Sequence, residues 1–129
     1  MTHERPLMDK RILILEDDFY LADDEKALLE KAGATVVGPF GRSCREEDLF
    51  ASGELDAAVV DINLGAGPSF DLARALADRR VPFVFVTGYD EAVIPGDLSH
   101  AVRLEKPLRE RQLVATMARL VAGQTEANG

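Results

Sequence analysis

The chain contains one cysteine, Cys44, so it can form no internal disulfide, and a reducing, cytoplasmic setting is the simple expectation. No His or strand end lies beside Cys44 in the sequence, which marks it as a packing residue rather than a nucleophile. Basic charge is scarce. Fifteen Lys and Arg face 23 Asp and Glu, for a formal net charge of −8. Non-specific binding to nucleic acid or to an anionic membrane needs the opposite balance, so neither is expected as a partner. No apolar stretch approaches the length of a membrane span, and Met1-Thr-His-Glu-Arg-Pro lacks the apolar centre of a signal peptide.

What is present is a set of short apolar runs, each closed by polar residues. Arg11-Ile-Leu-Ile-Leu15, Asp56-Ala-Ala-Val-Val60 and Val81-Pro-Phe-Val-Phe-Val86 are continuous rather than alternating, as strands buried on both faces are. Ala34-Thr-Val-Val37, closed by Gly38-Pro39, and Ala101-Val-Arg-Leu104 read as weaker strands. Helical patterns lie between them. The first places Leu21, Leu28, Leu29 and Ala32 on one stripe, with Asp18 as N-cap and Gly33 as the stop. A second runs from Ser43, as N-cap of a capping box with Glu46, to about Phe50. The third begins near Ser69 and buries Leu72, Ala73 and Leu76. A fourth is cut to a turn or two by Pro95-Gly96, which makes this the least regular region. The last, from Leu108 to Val121, buries Leu113, Met117, Leu120 and Val121 and stops at Gly123.

Five alternations of strand and helix predict an α/β fold: a doubly wound, five-stranded parallel sheet of flavodoxin-like order 2-1-3-4-5. Residues 10–122 would form the domain, 1–9 a disordered arm and 123–129 a tail. In such a sheet, ligand sites lie at the carboxyl ends of the strands. Strand one ends in Glu16 and Asp17, strand three in Asp61, strand four in Thr87 and strand five in Lys106. The three carboxylates would be close, and they repel one another unless a cation joins them. Magnesium, a hard ion that takes oxygen ligands, is the cofactor this predicts.

A carboxylate can attack phosphorus to give an aspartyl phosphate, and the charge on the transferred group then needs compensation. Lys106 and the Thr87 hydroxyl are placed to provide it. Each residue also has a plainer explanation: an acidic helix start for Glu16-Asp17-Asp18, a turn-forming Asp61, a strand-end Thr87, a solvated Lys106. Their convergence on one sheet edge favours the chemical reading. The step Lys106-Pro107 adds weight, because an X–Pro bond can adopt the cis form that turns a lysine inward.

The motifs Ile-Leu-Ile-Leu-Glu16-Asp17-Asp18, Val-Val-Asp61-Ile-Asn63-Leu, Phe-Val-Thr87-Gly88 and Lys106-Pro107 together resemble the receiver domain of two-component response regulators (CheY-like), over residues 11–122. The resemblance implies Asp61 as phospho-acceptor from a histidine kinase and Asp17 as a direct magnesium ligand. Glu16 would act through water, the Asn63 carbonyl would be a third protein ligand, and Thr87 and Lys106 would contact the phosphoryl group. Two features depart from the common pattern. The switch aromatic of strand five falls at Arg103, where an edge-strand charge is the simpler explanation. Pro82-Phe-Val-Phe-Val-Thr-Gly-Tyr89 resembles a Pro-Phe-x-Phe-Ala-Thr-Gly-Tyr variant group, with Val86 in place of Ala. That group is associated with HWE-type kinases, and Tyr89 becomes a candidate substitute switch.

The expectation is a stand-alone receiver, because the seven residues after Ala122 hold no output domain. It would signal through protein contacts or act as a phosphate sink or relay, with no enzymatic activity beyond its own phosphorylation and dephosphorylation. Alternatives are a phosphorylation-independent interaction module and an Asp-nucleophile phosphatase. The phosphatase would need Asp-x-Asp after strand one, whereas Asp61-Ile-Asn63 follows strand three. A flavodoxin-like cofactor binder would need a phosphate loop where Glu16-Asp17-Asp18 would repel phosphate.

Overall fold

The computed structural model describes residues 6–41, 44–62, 70–88, 94–106 and 108–128, with side chains as far as 123. Five strands, β1 (Arg11–Leu15), β2 (Thr35–Phe40), β3 (Ala57–Asp61), β4 (Phe83–Thr87) and β5 (Val102–Glu105), form one parallel sheet in the order β2-β1-β3-β4-β5. Helices α1 (Phe19–Lys31), α2 (Glu46–Phe50), α3 (Asp71–Asp78) and α4 (Glu110–Asn128) cover its two faces. This is the doubly wound flavodoxin-like arrangement that the alternation predicts.

The continuous apolar runs divide by parity, because successive strand side chains point to opposite faces. Leu13, Leu15, Ala58, Val60, Phe83 and Phe85 pack with Leu49 of α2 and with Ala73 and Leu76 of α3. Ile12, Ile14, Ala57, Val59, Val84 and Val86 pack with Leu29 of α1 and with Leu113 and Met117 of α4. Each fully buried Leu or Ile removes enough apolar surface from water to contribute roughly 2 kcal/mol, so these two layers hold the sheet and fix its register.

Several boundaries differ from the sequence reading. The arm was expected to be disordered through residue 9, yet Leu7 is fully buried against the α1/α4 layer. Its amide donates to the Ala32 carbonyl at 2.9 Å and the Asp9 amide to Gly33 at 3.2 Å. Polarity along the sequence hides one apolar residue at the right distance. β2 continues past Gly38-Pro39 to Phe40, through a register irregularity opposite Leu13 and Leu15. The Phe40 carbonyl accepts from the Glu16 amide, which keeps the strand paired beyond Pro39. α4 passes through Gly123 to Asn128 rather than ending in a tail. One glycine costs a helix about 1 kcal/mol, too little to stop a run of good helix formers such as Gln124 and Glu126.

At the helix starts, Asp18 caps α1 as expected, accepting from the amides of Tyr20 and Leu21. Ser43 and Ser69 lie outside the described residues. The N-caps found are Arg45, whose amide donates to the Asp48 carboxylate at 2.9 Å, and Phe70. Between residues 94 and 101 the described chain holds a single 3₁₀ turn, Gly96–Leu98. No helix among the described residues is long and apolar enough to cross a membrane.

Candidate functional site at the carboxyl edge of the sheet

Register brings the predicted residues together. Leu15 pairs with Val60, so the next residues along these central strands, Glu16 and Asp61, are neighbours. Both continue the parity of Ile14 and Val59 and lie on the α1/α4 side. Thr87 closes β4 opposite Glu105, and its carbonyl accepts from the Lys106 amide at 3.0 Å. Lys106 is thereby held at the same edge. Its Nζ donates to Asp61 Oδ2 at 2.9 Å and lies 3.9 Å from Glu16 Oε1.

Three of these groups are deeply enclosed: Glu16 is 4%, Asp61 2% and Thr87 2% exposed. Burial raises the Glu16 carboxyl to about 8, helped by its hydrogen bond and charge interaction with Asp61 and opposed by the Asp18 amide and Lys106. Burial works to lower the Lys106 ammonium. The hydrogen bond and charge of Asp61, with the charges of Glu16 and Glu25, outweigh it, so the net shift is upward. A buried carboxylate beside a retained cation, with a hydroxyl-bearing residue on the next strand, is a geometry suited to receiving an anionic group.

No protein-family model matches the chain. The phyllosphere-induced regulator PhyR of Methylorubrum extorquens is 30% identical over 125 residues, covering 93% of this chain and 46% of that protein. The chain thus spans less than half the length of that curated relative, a distant homologue. The solution structure of SdrG from Sphingomonas melonis Fr1 is 32% identical, with a TM-score of 0.73 over 88% of this chain and 97% of SdrG. The crystal structure of a CheY-like response regulator receiver domain from Methanospirillum hungatei JF-1 is 26% identical, with a TM-score of 0.76 over 94% of this chain and 99% of that one. The fold is that of a CheY-like receiver domain. These neighbours support a response-regulator receiver role for the chain.

The cluster at this sheet edge differs from the sequence expectation in its acids. The three carboxylates do not converge: among the described residues no group of three or more His, Cys, Asp or Glu is placed to hold a metal ion. Asp17 is exposed and its Oδ1 lies against Gly41, where a Cβ would come within 2.6 Å. Lys106 takes the place of a cation between Asp61 and Glu16. Hard oxygen donors are nonetheless present, and Glu16 Oε1 is buried with no hydrogen-bond donor among the described residues. An oxygen so placed fits a cation or its bound water, so these oxygen donors suit magnesium even though lysine closes their arrangement here.

Asn63 and Tyr89, the expected carbonyl ligand and substitute switch, lie outside the described residues, as does Pro107. Arg103 is half-buried on the edge strand β5, paired in register with Phe85. Burial, then the charge of Asp48, raises the Cys44 thiol, which keeps it protonated and fits a packing role.

One charged residue escaped the sequence reading. The stripe of α1 that faces the sheet is Ala22, Glu25, Leu29 and Ala32, rotated from the expected one, with Leu21 and Leu28 only half-buried. Glu25 is 3% exposed, and burial raises its carboxyl to about 7, with Asp61 adding to the shift and Lys106 opposing it. Its spacing of three from Ala22 and four from Leu29 was the available signal.

Proposed function

We propose that the chain is a phospho-accepting receiver in which Asp61 is the acceptor, Lys106 and Thr87 contact the transferred group, and magnesium is held by Glu16, Asp17, Asp61 and the Asn63 carbonyl. The observation that carries this reading is the 2.9 Å bond from Lys106 Nζ to the buried Asp61 carboxylate at the carboxyl edge of a parallel sheet. The donor is a phosphohistidine of a sensor histidine kinase. An Asp61 oxygen attacks phosphorus, the P–N bond breaks, and the imidazole leaves with the bonding pair and takes up a proton. Magnesium, when bound, supplies positive charge for the phosphoryl oxygens. Lys106 exchanges its bond to Asp61 for one to the phosphoryl group, and Thr87 turns its hydroxyl toward the same group.

The resemblance of Pro82 to Tyr89 to the variant group points to an HWE-type kinase as donor. With Arg103 at the usual switch position, Tyr89 is the proposed reporter of phosphorylation. Output is a change in affinity for a downstream protein, in the cytoplasm, and no enzymatic turnover of another substrate is involved.

Intact mass after incubation with acetyl phosphate, and with a phosphorylated HWE-type kinase, tests the reading with and without magnesium. A magnesium-dependent gain of one phosphoryl group that is absent in Asp61→Asn supports it. No gain from either donor leaves a phosphorylation-independent docking module.

A further inference from the structure

A cleft of about 820 Å³ opens between α1 and the start of α4, and Glu25 lines it. Half-buried Leu21, Leu28 and Leu108 form its apolar wall, while Asp24 and Glu110 bring two exposed acids to it. Neither Oε1 nor Oε2 of Glu25 has a hydrogen-bond partner among the described residues. A buried carboxylate without donors is costly, and the cost falls when the group takes up a proton or when a donor arrives. Among the described residues, Lys106 reaches Glu25 through its charge without a hydrogen bond, and the nearby lysines have closer acids. Lys26 pairs with Glu30, Lys31 with Glu110, and Lys106 with Asp61.

The volume far exceeds the roughly 30 Å³ share of a water molecule, so the space suits a side chain with its stem rather than a bare ion. Two unpaired oxygens on one carboxylate match the two parallel N–H donors of a guanidinium, which is weakly hydrated and readily buried in ion pairs. We propose that this cleft is a docking site for an arginine side chain of a partner protein, with Glu25 as its buried acceptor and Leu21, Leu28 and Leu108 along its stem. Lys106 lines the same cleft and bonds Asp61, so the docked arginine sits next to the candidate acceptor. The inference does not rest on phosphoryl transfer.

The test uses the full chain labelled with ¹⁵N and titrated with acetyl-Leu-Arg-Leu-amide, its citrulline counterpart, and magnesium chloride alone. The arginine peptide is expected to give saturable shifts at amides of residues 21–28 and 108–110, with binding about tenfold tighter than the citrulline peptide. Glu25→Gln, which keeps the shape, should lose about the same factor. Glu25→Leu, which suits its apolar neighbours and keeps the fold, should abolish binding. Equal binding of the two peptides, unchanged binding in Glu25→Gln, or the absence of saturable shifts would each overturn the proposal. The same shifts from magnesium alone would make the cleft a metal site instead.

Discussion

Lys106 Nζ lies 2.9 Å from Asp61 Oδ2 and 3.9 Å from Glu16 Oε1, so one ammonium sits between two buried acids. Removing it leaves Asp61 enclosed without its hydrogen-bonded cation, and uncompensated buried charge is the costly outcome of breaking such a pair. Lys106 is 26% exposed, which softens the loss through solvent screening. Lys106→Ala should therefore destabilise the fold by about 2 kcal/mol at neutral pH. Asp61→Asn in the Lys106→Ala background should restore part of this. Urea unfolding of the two single variants and the double variant reads the coupling directly. Strictly additive effects would mean that the contact carries no net energy.

Glu25 gives stability a pH dependence of definite sign. Its folded carboxyl lies at about 7, above the ordinary value of 4.5, so the folded state prefers the protonated form. The contribution is fully present below pH 4.5, is lost as pH rises through 7, and amounts to something on the order of 3 kcal/mol. Glu16 is shifted in the same direction, so the difference between wild type and Glu25→Gln isolates the residue. Urea midpoints at pH 5 and pH 8 should show a smaller decline in the variant. Parallel curves would show that Glu25 does not titrate in this range.

The sheet was legible because strands buried on both faces leave continuous apolar runs, and Leu15 and Val60 end theirs in Glu16 and Asp61 without ambiguity. Leu7 was not legible, since one apolar residue in a polar stretch has no periodicity. Glu25 was hidden for the opposite reason: a carboxylate on a helix is assigned outward unless its spacing from Ala22 and Leu29 is weighed above its charge. The placement of Asp17 was beyond the sequence as well. Strand parity brings Glu16 and Asp61 together, but Asp17 sits one residue later, and its carboxylate lies beside Gly41.

That approach makes Gly41 a lever on magnesium. A Cβ there would meet Asp17 Oδ1 at 2.6 Å, so Gly41→Ala must displace the carboxylate, the far end of a flexible side chain, rather than the fold. If Asp17 is a ligand, magnesium at ten times its dissociation constant stabilises wild type by about 1.4 kcal/mol. Gly41→Ala and Asp17→Asn should lose most of that gain while keeping their stability in chelator. Thermal unfolding with magnesium and with EDTA reads the difference. A full magnesium shift in Asp17→Asn would remove Asp17 from the ligand set.

The amino-terminal segment carries the last prediction. Leu7 is fully buried among residues of β1, α1 and α4, and its backbone is bonded to Ala32 at the end of α1. Truncating such a side chain removes its transfer energy and leaves a cavity, so Leu7→Ala should cost about 2–4 kcal/mol in urea unfolding. A disordered arm would make the same change nearly silent. Met8 is the control: it is 45% exposed, and Met8→Ala should shift stability by less than about 0.5 kcal/mol. Equal effects at the two positions would return residues 6–9 to the arm. A large loss at Leu7 alone would show that this segment closes the end of the α1/α4 layer.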